Sequence, residues 1–256
     1  MNHNNNDNDN FDSDEQEEQS GEKGIGDVLF SWKRKFDNYW YHYKVVTIFG
    51  IIILAFIIFA IAQCSFRVKG DVSIGYIGAQ EINAEEYANL QSALDSILGE
   101  DLNGDGKVHT EFTQFSYMTQ VQVENARAQG TPVDLQSLVT VQLQIDLELT
   151  EGNIILYFID SEVYKELSAK NAFMPLEDSL GYIPEGANDA FTLKLGNLPC
   201  WDYYEGLYNL PASTVIAVRD MTVDEESDKT MQERYKNNLK MFKRLAEFKY
   251  LPEETT

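Results

Sequence analysis

The chain has 256 residues and carries 42 acidic against 20 basic side chains, a net charge of −22. That length suits one ordinary domain with extensions, and a field of that sign repels polyphosphates, which excludes nucleic acid as a partner. Only two cysteines, Cys64 and Cys200, are present, so a disulfide-stapled scaffold is ruled out and stability has to come from a packed core.

The first 22 residues are rich in Asn, Asp, Glu, Gln and Ser with a single aromatic, Phe11. They cannot bury enough apolar surface to offset the entropy of ordering, and residues 1–30 are expected to be a disordered acidic tail in which His3 is simply solvated. Residues 31–44 change character. Lys33, Arg34, Lys35 and Lys44 are interleaved with Tyr39, Trp40, Tyr41 and Tyr43, a basic and aromatic juxtamembrane segment whose rings suit the headgroup level.

Residues 45–64 read VVTIFGIIILAFIIFAIAQC, 20 residues without a charge. At about 1.5 Å per residue such a helix crosses a hydrocarbon core roughly 30 Å thick, so the run predicts one transmembrane helix. The basic cluster on its near side predicts a cytoplasmic amino terminus and places residues 71–256 outside the cell membrane. Gln63 breaks the small-residue pattern that precedes a lipidated cysteine, which leaves Cys64 as a small residue at the membrane boundary.

Residues 71–256 hold 32 acidic and 13 basic side chains and suffice for one globular domain. Val72, Ile74, Tyr76 and Ile77, ending at Gly78, read as a buried strand. Asn83 then caps a helix with Glu86 as its capping-box partner and Ile82 and Tyr87 as a staple. Its core stripe is Tyr87, Leu90, Leu94, Ile97 and Leu98, and Gly99 stops it. A second strand is expected over 107–117, and a third, apolar on both faces, over 154–159.

Residues 139–149 pull two ways. Val139, Val141, Leu143, Ile145, Leu147 and Leu149 alternate strictly with polar residues, which is a strand pattern and forms a hairpin with the next strand. Thr131 and Pro132, however, make a good helix start, and a parallel sheet needs a crossover here, so helix is the prediction. Further helices are expected over 162–169 and 228–248, the latter with Met231, Tyr235, Leu239, Phe242 and Leu245 on one face. A late strand is expected over 214–218, and 181–208 should be irregular. Alternation of strands and helices argues for an α/β fold, a mixed or mostly parallel sheet with helices on both faces.

The sharpest local motif is Asp101, Asn103 and Asp105 followed by Gly106, because oxygen side chains at alternate positions converge when a glycine permits the turn. In a calcium loop the next ligands are the Lys107 carbonyl and a group at His109, and the twelfth position is a glutamate. Here that position is Phe112. A possible calcium site at Asp101, Asn103, Asp105, Lys107 and His109 stands against a plain Asx and Gly turn, with Glu100 or Glu111 as substitutes for the missing ligand. Trp201, Tyr203, Tyr204 and Tyr208 are candidate contacts for a ligand or partner, with packing as the alternative. Cys200, beside Pro199 and Trp201, reads as a packed apolar residue.

Catalytic groups are sparse: His109 is the domain's lone histidine, and neither a phosphate-cradling lysine loop nor HExxH occurs. No enzymatic activity is expected, although two carboxylates could form a glycosidase pair acting on cell-wall glycans. The order DVSIGYIG, the helix after Asn83, the strand after Lys107 and LELTEGNIILYFIDSEVYKELSAKNAFMPLED resembles, over residues 71–178, a lobe of the extracytoplasmic solute-binding proteins that serve ABC importers. The resemblance implies a lobe-like α/β fold outside the membrane and the binding of a small solute or of an envelope or membrane protein. It departs from that family in having too few remaining residues for a second lobe, and in its membrane helix. The expected whole is a single-pass membrane protein with an extracytoplasmic binding domain; the alternative is a calcium-stabilised interaction module without a small ligand.

Overall fold

The computed structural model describes residues 25–65 and 69–249, and the chain divides into two units between residues 67 and 68. The first contains one helix, α1, Ile25–Ser65. Its stretch Tyr39–Ala60 is long and apolar enough to cross a membrane and is unburied along its whole length. The helix is far longer than the predicted 45–64. It runs back through the basic and aromatic segment, where Phe36 stacks on Trp40 and Tyr39 on Tyr43 at helical spacing, and it takes in residues 25–30. The remainder of the tail expected to be disordered, residues 1–24, lies outside the described residues.

The second unit is an α/β domain with a five-stranded mixed sheet. Its elements are β1 Val72–Gly78, α2 Ala84–Leu98, β2 Thr110–Ser116, α3 Gln120–Ala128, α4 Leu135–Glu151, β3 Leu156–Ile159, α5 Ser161–Leu167, α6 Leu176–Leu180, β4 Thr192–Lys194, α7 Pro199–Tyr203, β5 Val215–Val218 and α8 Lys229–Ala246. The strand order is β2-β1-β3-β5-β4. β1 pairs in parallel with β2 and β3, whereas β5 runs antiparallel to both β3 and β4.

Side chains alternate across the pleat and build a core on each face. Ile74, Tyr76, Leu156, Phe158, Ile216 and Val218 pack under α2, α6 and α8. Ile77, Tyr157, Ile159, Val215 and Ala217 pack under α4 and α5. β3 sits at the centre with all four residues buried, as its two-sided apolar sequence requires. Gly75 lies opposite Tyr157, whose ring crosses the place a β-carbon would take, with Cε1 only 2.8 Å away.

Local capping follows the sequence. Asn83 Oδ1 accepts from the Glu85 and Glu86 N–H groups while Glu86 accepts from the Asn83 N–H, and Gly99 ends α2 in the left-handed conformation at φ 60°. Residues 139–149 are helical throughout. The start of α4 differs from the expected Thr131 and Pro132, because it is the Asp134 carboxylate that accepts from Gln136 and Ser137, and the Thr131 N–H instead closes α3 onto Ala126. β2 begins at Thr110 rather than Lys107, since Asp105 and Asp71 hold the N–H groups of Lys107 and His109 in the preceding loop. Residues 181–208, expected to be irregular, contain the edge strand β4 and the short helix α7.

One buried cation ties the layers together. Arg219 is fully buried, and its guanidinium donates to both carboxylate oxygens of Glu225, at 2.9 and 2.6 Å, and to the carbonyls of Gly152 and Ile154. It also lies 5.6 Å from the Tyr235 ring centroid on α8. Burial opposes the charge on Glu225, but hydrogen bonds from Arg219 and Thr222 outweigh it and hold the carboxyl below its ordinary range.

Candidate functional site

The predicted aromatic cluster divides into two groups. Trp201 and Tyr208 pack on each other with centroids 5.0 Å apart, and Trp201 leans on the core. Tyr203 and Tyr204, at the end of α7, meet edge to face at 4.8 Å and both contact Phe248, just past α8, at 5.4 and 5.6 Å. These three rings form one wall of a cleft of about 580 Å³ whose floor is Ser96, Ile97 and Gly99 at the end of α2. A smaller hollow of about 410 Å³ adjoins it on the other side of the same tyrosine pair, lined by Asn89, Ser92, Gly206 and Asn209.

Four cations share the lining: Lys240, Lys243, Arg244 and Lys249. In a chain of net charge −22 such a concentration is local, since residues 229–249 contain seven of the domain's basic side chains and two acidic ones. Two carboxylates answer the four cations. Glu100 accepts from Lys240 Nζ at 2.7 Å and from Arg244, and the Lys240 hydrogen bond, then the Arg244 charge, hold it below the ordinary carboxylate range against some desolvation. Glu247 lies 3.9 Å from Lys243 and accepts from the Tyr182 hydroxyl at 3.0 Å. An excess of positive charge therefore lines the cleft together with the rings, a composition suited to an anionic group attached to an apolar or ring-bearing one.

Cys200, in the first turn of α7, is fully buried, its Sγ 4.0 Å from the Leu245 carbonyl. Burial pushes its thiol up to about 12, which leaves a packing side chain and no thiolate nucleophile at neutral pH.

No protein-family model matches the chain, no curated protein does, and no solved structure does. The cleft sits beside the end of α2, which crosses back from β1 to β2. That is the amino-terminal edge of the parallel strands, away from the carboxyl ends where open α/β sheets usually hold ligands.

The acidic loop forms a closed turn. Asp101 accepts from the N–H groups of Asn103, Gly104 and Gly106, Asn103 from Asp105, and Asp105 from Lys107. Gly104 and Gly106 take positive φ, 78° and 83°. Asp71, from the foot of β1, clamps the loop by accepting from Leu102, Asn103 and His109. The His109 ring is turned to α2, where Gln91 Nε2 lies 2.9 Å from Nδ1 and Asp95 lies 4.0 Å away. Phe112 is in the core, and Glu111 contacts Ser73 at 3.4 Å. Among the described residues no three His, Cys, Asp or Glu side chains converge as a metal group.

Sequence reasoning missed these cations, because only the apolar stripe of 228–248 entered the prediction. The clustering of six basic residues in 18, on so acidic a chain, was the available signal.

Proposed function

We propose that the chain is a single-pass membrane protein, amino terminus cytoplasmic, whose extracytoplasmic domain binds an anionic ligand bearing an apolar part in the cleft between Tyr203, Tyr204 and Phe248 and the cations of α8. The membrane reading is supported by the length and apolar surface of α1, and its orientation by Lys33, Arg34, Lys35 and Lys44 on the near side. The observation that carries the binding reading is the juxtaposition of three rings with four cations in one concave site. The ligand is an acidic solute or an acidic segment of an envelope or membrane protein; both present the same chemistry.

The order of β1, α2, β2, α4, β3 and α5 and the turn into Pro175 and Leu176 supports kinship with a solute-binding lobe. Past residue 178, however, the described chain adds β4, β5 and α8 to the one sheet and its cover. The cleft is lined by residues of this one unit alone, and the ligand is taken to dock there from the open side.

Titration of the chain in detergent with acidic amphipathic peptides and small ring-bearing carboxylates and phosphates, followed by calorimetry, tests this. Lys243→Glu combined with Lys249→Glu is expected to weaken binding at least tenfold while leaving the melting curve in place. Absence of binding across the panel, or binding indifferent to that double variant, would refute the reading.

The second reading, a calcium-stabilised interaction module without a small ligand, is favoured by the alternate oxygens of Asp101, Asn103 and Asp105 on the Gly104 and Gly106 turn. It predicts a melting temperature that rises with millimolar calcium, falls with chelator and ignores the anionic panel.

A further inference from the structure

The hollow of about 410 Å³ shares Ser96, Tyr203 and Tyr204 with the cationic cleft. Together the two follow one face of α2, from Asn89 through Ser92, Ala93, Ser96 and Ile97 to Gly99, a run of about 15 Å at ~1.5 Å rise per residue. Gly206 lets the turn at 205–209 lie directly on α2, because a β-carbon there would fall 2.3 Å from the Asn89 carbonyl oxygen. The polar side chains of the hollow divide into spent and unspent. Ser96 donates to the Ser92 carbonyl, and Asn209 to the carbonyls of Glu86 and Gly206. Among the described residues, the side chains of Asn89, Ser92 and Glu205, which line the same hollow, form no hydrogen bond or ion pair.

We infer, on the proposed reading of the cleft, that its ligand is an acidic oligosaccharide, with an anionic sugar among the cations and an uncharged sugar in the adjoining hollow. The volumes call for two linked units, since each hollow alone exceeds the roughly 300 Å³ of a small ligand pocket. Glu205 selects among acids. A peptide that carries its negative charge on past the tyrosines is repelled there. A peptide laid in the groove would also need apolar pockets for its alternate side chains, where the hollow has only Ala93 beside the rings. An ionised carboxylate only accepts, whereas an amide and a hydroxyl both donate and accept. Asn89, Ser92 and Glu205 therefore match an uncharged unit with several neighbouring hydroxyls. The apolar part of the ligand is then the C–H face of a sugar ring, whose partly positive hydrogens suit the negative face of a tyrosine ring.

The two hollows have separate tasks. Lys243 and Lys249 attract any anion, and salt screens that attraction. Asn89 and Ser92 offer neutral hydrogen bonds that only a second, hydroxyl-bearing unit can meet. Charge thus admits acidic ligands as a class, and the neutral hollow chooses among them.

The test is calorimetric titration of the 256-residue chain in a detergent without a sugar headgroup. The probes are free glucuronate, a tetrasaccharide alternating glucuronate with N-acetylglucosamine, and a tyrosine-bearing tetraglutamate peptide. The tetrasaccharide is expected to bind at least tenfold tighter than either of the others. Asn89→Ala combined with Ser92→Ala should remove that advantage while leaving glucuronate affinity and the melting curve unchanged, since both side chains are exposed. Lys243→Glu combined with Lys249→Glu should weaken all three probes. A peptide that binds as tightly as the tetrasaccharide overturns the inference and leaves the cleft reading standing. So does a tetrasaccharide no tighter than glucuronate, or an advantage that survives the Asn89 and Ser92 substitutions. Failure of every probe to bind overturns the cleft reading itself, and the oligosaccharide with it.

Discussion

Helices α8 and α4 cover opposite faces of one sheet, and they differ in what they turn outward. α8 buries Tyr235, Met241, Phe242 and Leu245 and presents Lys236, Lys240 and Lys243 to solvent, so its apolar surface ends where the domain does. α4 buries only Ile145 and Leu149 and leaves a row of leucines and a valine exposed. A helix with a single apolar stripe is satisfied by its own fold, whereas one with two stripes has a surface left over. The contrast also separates two surfaces of the domain: cations beside aromatics on the α8 side, and exposed apolar side chains on the α4 side.

Arg219, which joins the two layers, should give the largest effect. Arg219→Met leaves the partly buried Glu225 without its partner and frees the Gly152 and Ile154 carbonyls, and should cost about 3 kcal/mol, read as a drop in the denaturant midpoint. Next come the two stripes of α4. Ile145→Ala, on the inner one, should cost about 2–5 kcal/mol, whereas Leu143→Gln, on the outer one, should stay within about 0.5 kcal/mol. Equal losses at the two sites would show that the outer row is not free surface.

A smaller effect is pH-dependent. Glu225 is held below its ordinary range in the folded protein, so its contribution is fully present above the unfolded carboxylate value of about 4.3 and is lost as pH falls through the lower folded value. The stability difference between wild type and Glu225→Gln should thus be largest near neutral pH and shrink below about pH 4. A difference that is flat with pH would contradict the ion pair.

Much of the fold was legible because local signals agreed with tertiary demands: Asn83 with Glu86 started α2, Gly99 stopped it, and the two-sided apolar run at 156–159 became the central strand. Residues 139–149 were ambiguous for a physical reason. Alternation normally marks one buried face of a strand, and here the same alternation arises from a helix with two apolar stripes, Val141, Ile145 and Leu149 inward and Val139, Leu143 and Leu147 outward. β4 was missed because a three-residue edge strand in a Gly- and Asn-rich stretch carries no periodicity. Of the site, Tyr203 and Tyr204 were legible, but their partners Phe248, Lys243 and Arg244 arrive from α8 and its end by tertiary packing alone. His109 looked like a loop ligand by spacing, yet its ring is drawn to Gln91 and Asp95, one helix away.

The central claim is that α1 holds the chain in a membrane with the acidic α/β domain outside. Protease added to intact cells tests it most directly. The account predicts that the domain is trimmed away while an amino-terminal fragment stays protected and sediments with membranes. A domain that survives until the cells are lysed, or a chain that remains soluble without detergent, would contradict it.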